Sequence, residues 1–140
     1  MVRNDEYFID QAYKEALKAF DKNEIPVGVV IVKDNKIIAK AHNLRDSKNI
    51  VTKHAEIIAI EKANKKLKNW RLIDCILYSS LEPCNMCKEV IRESKIEKVI
   101  YAAKNGKTTT EDNYTQIFDK KLIDKCTKLI KSKFLEFRNR

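Results

Sequence analysis

The chain has 140 residues, 44% apolar and 35% charged, which suits one domain over residues 1–140 with one substantial core and argues against a disordered segment. No apolar run approaches a bilayer span, and the start, Met1 to Glu6, is polar without a signal-peptide core, so a membrane or secreted protein is not expected and a cytoplasmic one is. The formal net charge is +9, and the segment from Asp119 to Arg140 carries eight Lys/Arg against three Asp/Glu, so over half of the surplus sits there; a nucleic-acid footprint and a solvated basic face both fit that pattern.

Asp5 to about Asn23 reads as a helix, because Phe8, Ala12, Ala16 and Ala19/Phe20 recur at helical spacing and Asn4 is placed to cap it. Ile25 to Val32 is a short β-branched run and reads as a buried strand. A turn at Lys33–Lys36 returns the chain into a second strand, Ile37 to Ala41, giving a hairpin. His42 to Lys53 is polar and irregular. A second helix is expected from about His54 to Leu67, with Ile57, Ile58, Ile60 and Ala63 inward. Strands are expected at Cys75–Ser79 and Lys98–Ala102 around a helix from Cys84 to about Ser94. Asn105 to Thr115, with three consecutive threonines, reads as turn. A last amphipathic helix runs from Leu122 to Phe137, its stripe formed by Leu122, Cys126, Leu129/Ile130, Phe134 and Phe137. Strands alternating with helices between residues 37 and 102 imply parallel crossovers and helices packed on a sheet.

The chemistry-bearing residues are His54 and Glu56, then Pro83-Cys84-Asn85-Met86-Cys87. His-x-Glu with Pro-Cys-x-x-Cys offers three metal ligands and one carboxylate free of the metal; such a set suits Zn²⁺ with its fourth position open to water, the arrangement of a catalytic site. Water on zinc ionises near neutral pH, and a neighbouring carboxylate can move its protons. Cys84 and Cys87 share a helix face, whereas His54 and Glu56, two apart, point differently and suit different tasks. Cys-x-x-Cys alone is also compatible with a redox pair, buried thiols, or a structural zinc half-site completed by His42, Cys75 or Cys126. Cys75 and Cys126 read as small core residues. The His-x-Glu and Pro-Cys-x-x-Cys pattern is the signature of the zinc deaminases that act on bases.

Beyond that signature, Asn23-Glu24-Ile25-Pro26-Val27-Gly28, His54-Ala55-Glu56-Ile57, Asn69-Trp70-Arg71-Leu72 and Leu81-Glu82-Pro83-Cys84-Asn85-Met86-Cys87 closely resemble the tRNA-specific adenosine deaminases, a branch of the cytidine deaminase-like superfamily. The resemblance covers nearly the whole chain. It implies an α/β fold, a three-layer α/β/α sandwich on a central mixed sheet with an N-terminal hairpin and parallel crossovers. It also implies a homodimer, one zinc ion per chain, and conversion of adenosine to inosine at the wobble position of a tRNA anticodon stem-loop. By the same resemblance His54, Cys84 and Cys87 hold zinc and Glu56 shuttles protons. Asn43, Pro26 and Val27, with the backbone of Ala55 and Glu82, meet the base, and Lys53, Phe134 and Arg138 meet the nucleic acid.

The chain departs from the usual bacterial pattern at Tyr101-Ala102-Ala103-Lys104-Asn105-Gly106-Lys107 and at Asn49-Ile50-Val51-Thr52-Lys53, both around the mouth of the site. These departures keep a second reading open: a deaminase of a free base or nucleoside (cytosine, guanine or cytidine), or of cytosine or adenine in single-stranded nucleic acid. A binding-only subunit has no use for Glu56 beside zinc, which argues against that class.

Overall fold

In the computed structural model, residues 2–106 and 112–138 are described, except for the side chain of Arg138; the three threonines, 108–110, and that side chain fall outside. The elements in order are α1 (Asp5–Asp21), β1 (Gly28–Lys33), β2 (Lys36–His42), α2 (Arg45–Lys48), α3 (Ala55–Leu67), β3 (Cys75–Leu81), α4 (Asn85–Glu93), β4 (Lys98–Ala103), β5 (Tyr114–Gln116) and α5 (Lys120–Arg138). The sheet order is β2-β1-β3-β4-β5. β1 runs antiparallel to both β2 and β3, so β2 and β3 are parallel to each other with α3 crossing between them. β3, β4 and β5 are parallel. The expected hairpin forms on a two-residue turn whose residues, Asp34 and Asn35, both have positive φ (52° and 61°), which matches the twist of paired strands.

Strand alternation sorts the core into two faces. Val29, Ile31, Leu77 and Val99 pack with Ala59, Ile60 and Ala63 of α3 and Ile91 of α4. Val30, Val32, Tyr78 and Ile100 pack with Phe8 and Ile9 of α1 and Leu122, Cys126 and Ile130 of α5. Helices therefore cover both faces, and the three-layer α/β/α arrangement with a mixed sheet is as expected. Close packing of α1 on β1 depends on Gly28: a Cβ there would lie 2.0 Å from Ala12 O and 2.4 Å from Ala16 N, both backbone atoms.

Several boundaries differ from the sequence reading, each for a local reason. β1 starts at Gly28 rather than Ile25, because Pro26 has no N–H and Val27 N bonds back to Ile25 O at 2.9 Å. The irregular stretch after β2 contains the single turn α2, ended by Asn49 in the left-handed conformation. β5 lies in the stretch read as turn; its three residues alternate too briefly to signal a strand and are held by backbone pairing with β4. α4 starts one residue later than expected: Cys84 is the cap residue and Asn85 the first helical one. In α5 the stripe holds through Leu122, Cys126 and Ile130, but Lys133 then takes the buried position, and Phe134 is 49% exposed.

Candidate metal and substrate site

Two helix starts meet at one end of the sheet. His54 caps α3 and Cys84 caps α4, both with extended backbone. One turn into α4, Cys87 is fully buried. His54 Nδ1 lies 3.7 Å from Cys84 Sγ and 3.6 Å from Cys87 Sγ, and the three ligand atoms all fall within 4.8 Å of one another. Ligands at Zn–S of about 2.3 Å and Zn–N of about 2.0 Å in a tetrahedron stand about 3.6 Å apart, so the observed spacing fits a zinc ion. Among the described residues this is the sole cluster of that kind, and His42, Cys75 and Cys126 lie elsewhere, so the fourth position of a structural site is not filled by the side chains proposed for it. All four cysteines are free thiols, and Cys75 and Cys126 are buried in the core as expected.

Charge at the cluster follows from burial and proximity. The Cys84 thiol is held down at about 5, because Cys87 donates to it and the His54 ring lies beside it; the Cys87 thiol is correspondingly pushed up. The N-terminus of α4 favours the same Cys84 thiolate that a metal needs. Glu56, 4% exposed in the first turn of α3, is pushed up to about 7 by burial, with the Cys84 thiolate adding to the shift. It can therefore both accept and release a proton near neutrality.

In front of the cluster is a cavity of about 370 Å³, within the range of small-molecule sites, lined by Ile25, Val27, Asn43, Arg45, His54, Ala55, Glu56, Leu81, Glu82, Cys84, Asn105, Phe134 and Phe137. Of the residues named from the sequence, Val27, Asn43, Ala55, Glu82 and Phe134 line it together with His54, Glu56 and Cys84. Pro26 does not: it is buried beside the cavity, and its neighbours Ile25 and Val27 form the wall. Lys53 is also off the lining and sits 3.7 Å from Glu61 Oε2. The wall residues Ile25, Leu81, Asn105 and Phe137 were given no site role from the sequence, although Ile25 and Leu81 fall within the quoted motifs and Asn105 within the departure at the mouth; Arg45, two residues after Asn43, was not named at all.

The polar wall is held in place by hydrogen bonds, most of them between residues distant in the chain. Asn43 Oδ1 accepts from Arg45 N at 3.0 Å, and Nδ2 donates to Ile25 O at 3.3 Å. Asn105 donates from Nδ2 to Glu82 O at 3.3 Å and from its backbone N to Glu82 Oε1 at 3.4 Å. Glu24, completely buried, accepts from Asp46 N at 3.0 Å and from both N and Oγ of Ser47. It thereby anchors α2, the turn that carries Arg45. Burial alone would push the Glu24 carboxyl up, but the bonds from Ser47 and Asp46 outweigh it and hold it below the ordinary value.

A three-ligand zinc cluster, a buried carboxylate and a cavity at the helix N-termini of an α/β sheet together make a hydrolytic zinc deaminase. Residues 2–103 match the cytidine and deoxycytidylate deaminase zinc-binding region, and the chain belongs to that family. It is similar to the tRNA-specific adenosine deaminase of Streptococcus pyogenes, 47% identical over 111 residues, which are 79% of this chain and 70% of that protein. Across the S. pyogenes strains the chain spans 65–70% of the relatives' length, about two thirds. A solved structure from biochemical and structural studies of A-to-I editing by tRNA:A34 deaminases at the wobble position superposes with a TM-score of 0.81 at 28% identity, over 89% of this chain and 99% of that one. Guanine deaminase from Bacillus subtilis superposes at 0.70 with 43% identity, over 73% and 66% of the two chains.

Proposed function

We propose that this chain catalyses hydrolytic deamination of adenosine to inosine at the wobble position of tRNA. The observation that carries the reading is the 47% identity to a tRNA-specific adenosine deaminase, with the ligand cluster and buried carboxylate intact at the floor of an aromatic-rimmed cavity. His54, Cys84 and Cys87 would hold a zinc ion, which would supply a nucleophile at neutral pH by lowering the pKa of a water. Glu56 takes one proton of the attacking water and passes it to the purine ring nitrogen; it then moves the remaining proton, from the new hydroxyl, to the amine, which leaves as ammonia as the carbonyl forms, so adenosine and water give inosine and ammonia.

Positioning falls to the cavity wall. Among the described residues the Asn43 amide donates to Ile25 O alone, and its second hydrogen meets the base. Val27 and the backbone of Ala55 and Glu82 enclose the ring, while Phe134 stacks on a neighbouring base and Lys53 and Arg138 meet phosphates of the anticodon stem-loop. The active form in this reading is a homodimer of single-domain subunits, in a reducing, cytoplasmic setting that keeps the ligand thiols free.

One observation favours a second reading. The 43% identity to guanine deaminase makes a free purine base the rival substrate. Ammonia release by the zinc-loaded protein from a tRNA with wobble adenosine, from guanine, and from cytosine and cytidine separates the two. Release from the tRNA alone supports the proposal; release from guanine alone replaces it.

A further inference from the structure

Lys133 stands where the apolar stripe of α5 requires a hydrophobic residue, and it is 3% exposed. A buried ammonium is costly unless paired, and this one is met on three sides. Its Nζ lies 4.0 Å above the centre of the Phe20 ring, 3.1 Å from Asn23 Oδ1 and 2.7 Å from Glu136 Oε2. Phe20 is in the last turn of α1 and Asn23 lies just beyond it, so the cation also faces the negative end of the α1 dipole. The residues that flank Lys133 and Glu136 on α5, Phe134 and Phe137, line the substrate cavity.

We infer that Lys133 is a positioning residue: its ammonium clamps the last turns of α5 to the corner after α1 so that Phe134 and Phe137 stand as the aromatic wall of the active-site cavity. Phe134 is not held there by burial in the main core, since it is half exposed and the core stripe of α5 ends at Ile130. Glu24, next to Asn23, anchors α2, whose Arg45 also lines the cavity. The consequence for turnover rests on the proposed deamination of tRNA; the clamp itself does not.

The test compares Lys133→Met, which keeps the stem and removes the charge, with Lys133→Arg and with Phe134→Ala/Phe137→Ala. Amide hydrogen exchange of the zinc-loaded protein reads the clamp without substrate: in Lys133→Met the amides of residues 134–137 lose protection by about tenfold or more while those of residues 122–130 keep theirs. On a tRNA with wobble adenosine, KM rises by about tenfold, the loss of roughly one base–aromatic stack, with a smaller change in kcat. Lys133→Arg recovers part of both effects, and Lys133→Met adds little to the double phenylalanine variant. Unchanged exchange at 134–137 in Lys133→Met overturns the clamp. Loss of protection with unchanged KM overturns the positioning role. If the unmodified protein turns over no tRNA, the proposed function fails while the exchange result still decides the clamp.

Discussion

The site turns on a few side chains whose chemistry depends on where the backbone holds them. Glu56 is two residues from the ligand His54 yet outside the ligand set, and its buried carboxyl titrates near 7. Replacing Glu56 by Ala is expected to leave zinc content at one per chain and to lower kcat by at least about 10²-fold, the usual contribution of a positioned acid–base group. Metal analysis and single-turnover kinetics on one preparation check both halves. Gly28 is decisive for a different reason. Because a Cβ would collide with the α1 backbone rather than with a flexible side-chain tip, Gly28→Ala must push α1 off β1; a loss of about 2 kcal/mol or more is expected in denaturant unfolding.

At the scale of elements, the turn α2 shows how a wall too short to be stable alone is kept. Glu24 supplies the anions that its N–H groups and Ser47 need. Because the folded carboxyl titrates below the ordinary value of 4.5, its contribution is complete above that pH; as pH falls, the unfolded chain takes up the proton first and the stability is lost. Glu24→Gln should therefore be less stable than the parent at pH 7, and the difference should shrink as pH falls below 4.5, measured by urea unfolding across that range. The four longer helices, the hairpin and the candidate zinc-ligand cluster were legible because each rests on local pattern: period in α1 and α3, turn residues at Asp34-Asn35, fixed spacing in His-x-Glu and Cys-x-x-Cys. What escaped rests on tertiary partners. β5 exists by pairing with β4, α2 by a carboxylate 22 residues away, and the buried place of Lys133 by Phe20 and Asn23, which no local pattern of α5 encodes.

For the whole molecule, zinc would tie the starts of α3 and α4 to each other, so chelation should lower the melting temperature and equimolar Zn²⁺ restore it. The basic surplus of α5 is offered to solvent by residues such as Lys128 and Lys131, whereas Lys133 is spent internally. Changing Lys128 and Lys131 to Glu should weaken tRNA binding and make its salt dependence shallower by roughly 0.7–0.9 per lost phosphate contact. An unchanged slope would make that face a solvated one only. The most direct test of the central claim is to map inosine in a tRNA carrying adenosine at the wobble position after incubation with the zinc-loaded protein. Inosine at that position, and at no other adenosine, is the predicted result. An unmodified wobble adenosine, with ammonia released only from a free base such as guanine, would contradict it.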